Sequence, residues 1–223
     1  MQGVHGPVGG VRMVKNIFRW ALTIVLVAGF AAKAAHDYHW ARLRVVNSLM
    51  VSLEYKDLLV LEQPDGKLKD YQLKHFKSYF EQVALLMPGQ ADAYAMAGFC
   101  SYYLGQRTKA LKAYQKAIAI NPEFLWFYYD AGMICFMQED YAKASEYFQK
   151  ALLTRPQINA VIISQSKIFL DILRQAPQPV DIPERLKQGY EMSAYFVRLS
   201  AFLAQNPSSQ RPDLTQTARL RIF

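Results

Sequence analysis

The sequence is short of the residues that usually carry chemistry. Cysteine occurs twice, as Cys100 and Cys135, and histidine four times, as His5, His36, His39 and His75. There is no CxxC, and no histidine stands near either cysteine to complete a zinc pattern, so no metal site is expected. Nucleophile elbows, phosphate loops and paired-carboxylate patterns are also missing. That leaves no catalytic residue to name and no cofactor to expect, and it argues against an enzyme. Acidic residues are absent before Asp37. The apolar run Trp20 to Ala32 (WALTIVLVAGFAA) has thirteen residues, where a membrane span takes about 20.

What is present is a globular composition, 52% hydrophobic and 20% charged, with a formal charge of +8 and a pI near 9.4. The basic surplus suits anionic surfaces, but the Lys and Arg residues are spread along the chain and no nucleic-acid motif accompanies them. A solvated surface compatible with a membrane is expected, and no nucleic-acid partner. The two cysteines read as small buried residues, with a disulfide as the alternative.

Residues 1–16 form a basic leader, with Arg12 and Lys15, and Met13 offers an alternative start. Extending the apolar run to 17–36 gives about 28 Å of helix, with Arg19 and Lys33 placed to reach headgroups. This predicts a transmembrane or signal-anchor helix; a cleaved signal peptide and a soluble secreted protein are the alternative. An anchor with a short basic head places the body in the bacterial periplasm, on the inner membrane. Beyond it, 37–90 reads as a juxtamembrane helical region broken by QPDGK (Gln63 to Lys67) and closed by Pro88-Gly89.

Self-comparison at an offset of 34 gives the strongest signal. Tyr94 aligns with Tyr128, Ala97 with Ala131, Gly98 with Gly132, Ala110 with Ala144, Tyr114 with Phe148, Ala117 with Ala151 and Pro122 with Pro156. Period and pattern resemble the tetratricopeptide repeat family, whose unit is a helix-turn-helix. The resemblance implies an all-α fold, a short α-solenoid, with two units across 91–158. Residues 57–90 then form a degenerate repeat or cap. Residues 159–205 supply C-terminal capping helices, with 159–175 as the candidate first helix of a third unit, and 206–223 a flexible tail.

The resemblance also implies which residues face the concave side. Those positions hold Asp92, Ala95, Phe99, Tyr102 and Tyr103 in the first unit, and Trp126, Tyr129, Met133, Phe136 and Met137 in the second. Eight of the ten, Phe99, Tyr102, Tyr103, Trp126, Tyr129, Met133, Phe136 and Met137, are aromatic or methionine, the types that dominate binding hot spots. They are the candidate partner-binding groove. Two occupants fit: a protein partner, as a peptide or a helix of another subunit, or the chain's own helix over 184–205. The family's clamp for acidic chaperone tails uses Lys, Asn and Arg; Ala95, Phe99 and Tyr103 depart from it. The expected function is a membrane-anchored adaptor for assembly of a membrane or envelope complex, or an accessory subunit of an envelope-polymer or secretion enzyme. The basic stripe Arg107, Lys109, Lys112 and Lys116 reads as a solvated face.

Overall fold

The computed structural model describes residues 9–50, 54–62, 66–207, 209, 212 and 219–223. The chain divides into two compact units, Met1–Met50 and Val51–Phe223.

The first unit is one helix, α1 (Gly9–Met50), 42 residues long. Its apolar residues from Trp20 to Phe30 are exposed all round, Phe30 at 77%. Among the described residues no helix is long and apolar enough to cross a membrane. The span expected over 17–36 is corrected accordingly. The thirteen residues Trp20–Ala32 fall about seven short of a span, and Lys33, His36 and Asp37 follow at once.

The second unit contains α2 (Lys56–Val60), α3 (Asp70–Leu86), α4 (Ala91–Tyr103), α5 (Arg107–Ile120), α6 (Leu125–Met137), α7 (Tyr141–Leu153), α8 (Pro156–Gln165), α9 (Lys167–Gln175) and α10 (Ile182–Gln205). The described residues are all helix and loop. Successive helices pack pairwise from α3 through α7, which gives the expected repeats α4–α5 and α6–α7. Small residues set the spacing within each pair. A Cβ on Gly98 would stand 3.1 Å from the Tyr114 ring, and one on Gly132 would stand 2.9 Å from Phe148. The glycines are therefore seats for the aromatic ring of the partner helix. α5 and α7 are amphipathic, burying Ala110, Tyr114 and Ala117 in one and Ala144, Phe148 and Ala151 in the other. Arg107, Lys109, Lys112 and Lys116 are exposed, the solvated face read from their spacing.

The first helices are different. α4 and α6 carry no polar stripe, and twelve of the thirteen residues of α6 are buried. A helix apolar on every side must be covered on every side. Both end the same way. Gly105 adopts φ +74° and Glu139 φ +66°, at positions 34 apart. In the first turn, Gly105 N–H bonds Tyr102 O at 2.8 Å and Gln106 N–H bonds Ser101 O at 2.8 Å. The same pair recurs as Glu139 N–H to Phe136 O and Asp140 N–H to Cys135 O, both at 3.0 Å. This is the Schellman closure that satisfies the last carbonyls of a helix.

Beyond α7 the repeat stops. The stretch 159–175, expected as one helix of a third unit, is two. α8 ends at Gln165, and Ser166 caps α9 by accepting from Phe169 N at 3.1 Å. The break turns α9 back toward α2 and α4. Ser166 Oγ also donates to the buried Asp92 carboxylate, pinning the start of α9 to α4. α10 then packs along α7 and α6. Pro156 and Pro183 each sit in the first turn of a helix, where the missing N–H goes unused. Cys100 and Cys135 are buried free thiols.

Candidate functional site

The eight candidate groove residues lie together on α4 and α6, and most of them are covered. Phe99, Trp126, Tyr129, Met133 and Phe136 are all at most 1% exposed, while Tyr102, Tyr103 and Met137 are half-buried. Of the other two concave positions, Ala95 and Asp92 are buried. The cover is the chain itself, so the five buried side chains belong to its core rather than to an open groove.

α10 supplies the first part of the cover. Phe196 stacks on Phe148 at 5.2 Å between ring centroids and meets Phe136 edge-on at 5.3 Å and Tyr129 at 6.3 Å. Gly189 lies on the second repeat so closely that a Cβ there would stand 2.5 Å from Leu125 Cδ2 and 2.9 Å from Trp126 Cζ2. The Tyr129 hydroxyl points to Met192 Sδ, 3.7 Å away. α8 closes the end of α6: Asn159 Oδ1 accepts from Leu125 N at 2.7 Å, filling one of the unpaired donors of that helix. The Tyr190 hydroxyl reaches both Asn159 and Thr154, tying α10 to the same corner.

Residues 219–223 supply the second part. The sequence places them in a flexible tail, yet Leu220, Ile222 and Phe223 are buried. Their backbone is held by two carboxylates from distant elements. Asp130 Oδ1 of α6 accepts from Arg221 N at 2.8 Å, and Glu62 Oε1, just past α2, accepts from Ile222 N at 2.7 Å. The Glu62 carboxylate also pairs with Arg185 of α10 at 2.8 Å and with Arg221 at 4.0 Å. Phe223 meets Phe169 of α9 edge-on at 5.9 Å, and Phe169 stacks on Phe124 at 5.2 Å. The Tyr103 hydroxyl donates to Leu61 O at 3.1 Å and anchors the wall that carries Glu62.

The electrostatics are those of a dry pocket. Burial drives the Asp130 carboxyl well above its ordinary value, although the Arg221 N–H and the Tyr114 hydroxyl both favour its ionised form. Tyr114, buried with it, is raised as well, by desolvation and by the nearby acid. Burial pushes the Cys135 thiol up to about 11, which leaves it unreactive as a nucleophile. Beside this pocket a cleft of about 470 Å³ opens over Glu62, Arg185 and Arg221, walled by Leu59, Pro177 and Pro179. Among the described residues no group of three or more His, Cys, Asp or Glu side chains is placed to hold a metal.

Sequence reasoning missed Glu62, Asp130, Arg185 and Arg221. One signal was available. Asp130 is the lone charge in LWFYYDAGMICFM, and 34 residues earlier the first repeat has Met96. A carboxylate replacing methionine at a repeat position inside an apolar helix marks a polar demand, met here by the Tyr114 hydroxyl and the Arg221 N–H.

Comparison with known proteins agrees with this geometry. The tetratricopeptide repeat model matches residues 91–124 and 126–158. Human tetratricopeptide repeat protein 6 is 31% identical over 83 residues, 37% of this chain and 16% of that protein. Hsp70-Hsp90 organizing protein 3 of Arabidopsis thaliana is 25% identical over 146 residues, 60% of this chain and 25% of that one. The chain thus spans a quarter or less of the length of these two relatives. Among solved structures, two of MamA are similar, at 15% and 16% identity. They cover 79% and 85% of this chain and 94% and 97% of theirs, with TM-scores of 0.37 and 0.36. Residues 91–124 and 126–158 of the chain are thus two tetratricopeptide repeats.

Proposed function

We propose that this protein is an interaction scaffold that takes a protein partner on the face formed by α4 and α6. The observation that carries this reading is the segment 219–223, seated against α6 as a peptide would be, with its backbone held by the side chains of Asp130 and Glu62. The likeness to Hsp70-Hsp90 organizing protein 3 supports a role in protein–protein contact. It does not extend to chaperone tails, because Ala95, Phe99 and Tyr103 stand where the clamp's polar residues would be. Burial of apolar surface with shape selection is the mechanism; none of the arranged groups forms a catalytic set.

Membrane location is part of the proposal. The exposed apolar band of α1 between Trp20 and Phe30 supports it, as do the basic residues that precede it. Such a band lies in the interfacial layer of a bilayer when it is too short to span. The bacterial inner membrane, on its periplasmic side, with assembly of an envelope complex as the task, is the setting we propose.

A photo-crosslinking residue placed at Tyr102 or Met137, in turn, tests the scaffold reading in cells. Discrete protein adducts at both positions, and none at the exposed Leu153, are expected. Adducts at Leu153 alone would move the interaction surface elsewhere. Flotation of cell membranes tests the location: Ile24→Lys with Leu26→Glu should release the protein, and a parent chain that never floats would defeat the membrane claim.

A further inference from the structure

We infer that Arg219–Phe223 is a self-ligand: it occupies a peptide site whose partner is a protein segment alternating basic and apolar residues with an aromatic one in the fifth place, which binds by displacing it. The inference rests on the scaffold reading and adds the partner's chemistry and the means of control.

Three features separate this segment from ordinary core. First, it is the one described non-helical stretch whose consecutive backbone amides are each held by a carboxylate, from elements 68 residues apart in sequence. Side chains that accept from backbone N–H groups hold a segment lying outside regular secondary structure. This demands a free N–H at both positions and so excludes proline there. Second, side-chain selection is built around it. The Arg221 guanidinium faces Glu62 and the Tyr129 hydroxyl, Leu220 and Ile222 fill enclosed positions, and Phe223 lies against Phe169. Third, Asp130 makes a bond that the repeats alone do not use. A carboxylate inside an apolar helix is costly to bury, and Met96 serves the corresponding place in the first repeat. The Tyr114 hydroxyl is its partner within the repeats, and the Arg221 amide is a second one from outside them.

The segment is joined to α10 by thirteen residues, 206–218. A ligand tethered over that length competes at an effective concentration on the order of millimolar. If the segment itself binds the site with about micromolar affinity, every competing partner is weakened about a thousandfold by the closed form. The tail sets a threshold: only a partner presented at high local concentration, or in several copies, opens the site.

The probe is the labelled pentapeptide Arg-Leu-Arg-Ile-Phe, read by fluorescence anisotropy against the intact chain and a chain ending at Ala218. Saturable binding is expected, at least tenfold tighter to the shortened chain. N-methylation of the peptide at either amide corresponding to Arg221 or Ile222 should abolish it, as should Arg221→Glu in the peptide. A shortened chain that keeps its helical signal and cooperative unfolding but does not bind, or that binds the N-methylated peptides equally well, overturns the proposal. If the shortened chain does not fold, hydrogen exchange on the intact chain decides. Amides of Arg221 and Ile222 exchanging at least tenfold faster than those of α6 support a displaceable ligand, and exchange at the α6 rate overturns it. Peptide failure with crosslinks persisting at Tyr102 and Met137 removes the self-ligand and leaves the scaffold; loss of both removes both.

Discussion

Replacing Trp126 separates a covered face from an open one more sharply than any other single change. The indole is 1% exposed, lies under Gly189 of α10 and meets Tyr129 edge-on at 5.4 Å. Trp126→Ala leaves a hole beneath α10, and truncation of a buried aromatic costs about 3–5 kcal/mol. For a unit of this size each kcal/mol lowers the melting temperature by about 2–4 °C, so a fall of roughly 6–20 °C is expected. Trp126→Phe should behave differently. The indole Nε1–H is buried without a hydrogen-bond partner, a condition that costs the native state about 1–3 kcal/mol. Phenylalanine keeps most of the ring and removes that donor, so it should fall within about 1 kcal/mol of the parent chain. Urea unfolding followed by circular dichroism measures both variants. An exposed groove residue gives losses within about 0.5 kcal/mol for either substitution. An alanine variant in that range would refute the burial of Trp126 by α10, and with it the closed face.

The other expectations test the same architecture. Gly189→Ala gains helix propensity of about 0.5–1 kcal/mol but drives a Cβ against Leu125 and Trp126. Overpacking at about 1–3 kcal/mol should win, giving net destabilisation in the same urea assay. Glu139→Gly should stabilise by about 0.5–1 kcal/mol, because a left-handed φ of +66° strains a side chain that Gly105 avoids at the equivalent turn; a loss would show that the Glu139 side chain holds the turn by other means. Asp130 makes a pH prediction. Its folded carboxyl is raised by burial above the ordinary 3.8, so the native state binds the extra proton between the two values, and stability falls as pH rises through that window. Asp130→Asn removes the effect, so the stability of the parent relative to the variant should decline from pH 4 toward neutrality. A difference that stays flat or grows would mean that Arg221 and Tyr114 outweigh desolvation.

The repeats were legible because their signal is local and periodic. Gly98 and Gly132 face Tyr114 and Phe148 as the 34-residue offset implies, and Gly105 marks its turn. Glu139 hid the matching turn, since glutamate carries no mark of a left-handed residue. The break at Ser166 was hidden too: helical spacing runs through it, and serine caps a helix only when the chain has already turned. What the sequence conceals most is cover. That α4 and α6 are apolar all round can be read directly. That the cover comes from α10 and from residues 219–223 is a matter of pairings across 63 to 160 positions, and no local pattern encodes them. The polar, proline-containing composition of 206–223 masks the apolar alternation of its last five residues, so a buried segment reads as tail.

The character of the cover bears on its use. Two seals meet on α6. Lifting α10 exposes Phe196, Trp126 and Phe136 to water, at about 25 cal/mol for each Å² of apolar surface, and returns Arg185 and the Tyr190 hydroxyl to solvent. Lifting 219–223 also exposes apolar side chains, but it returns Glu62, Asp130, Arg221 and two backbone amides to solvent. The hydration of those groups offsets part of the loss, since charges are what burial penalises most. Residues 219–223 bury three apolar side chains where α10 buries the face of a 24-residue helix, so the shorter seal is the cheaper to open. Met96 fills in the first repeat the position that Asp130 takes in the second, where the carboxylate accepts from both the Tyr114 hydroxyl and the Arg221 amide. With aspartate there, the seal over the middle of the face is held by directional bonds to a backbone, and any segment able to offer the same two N–H groups and an arginine can take its place.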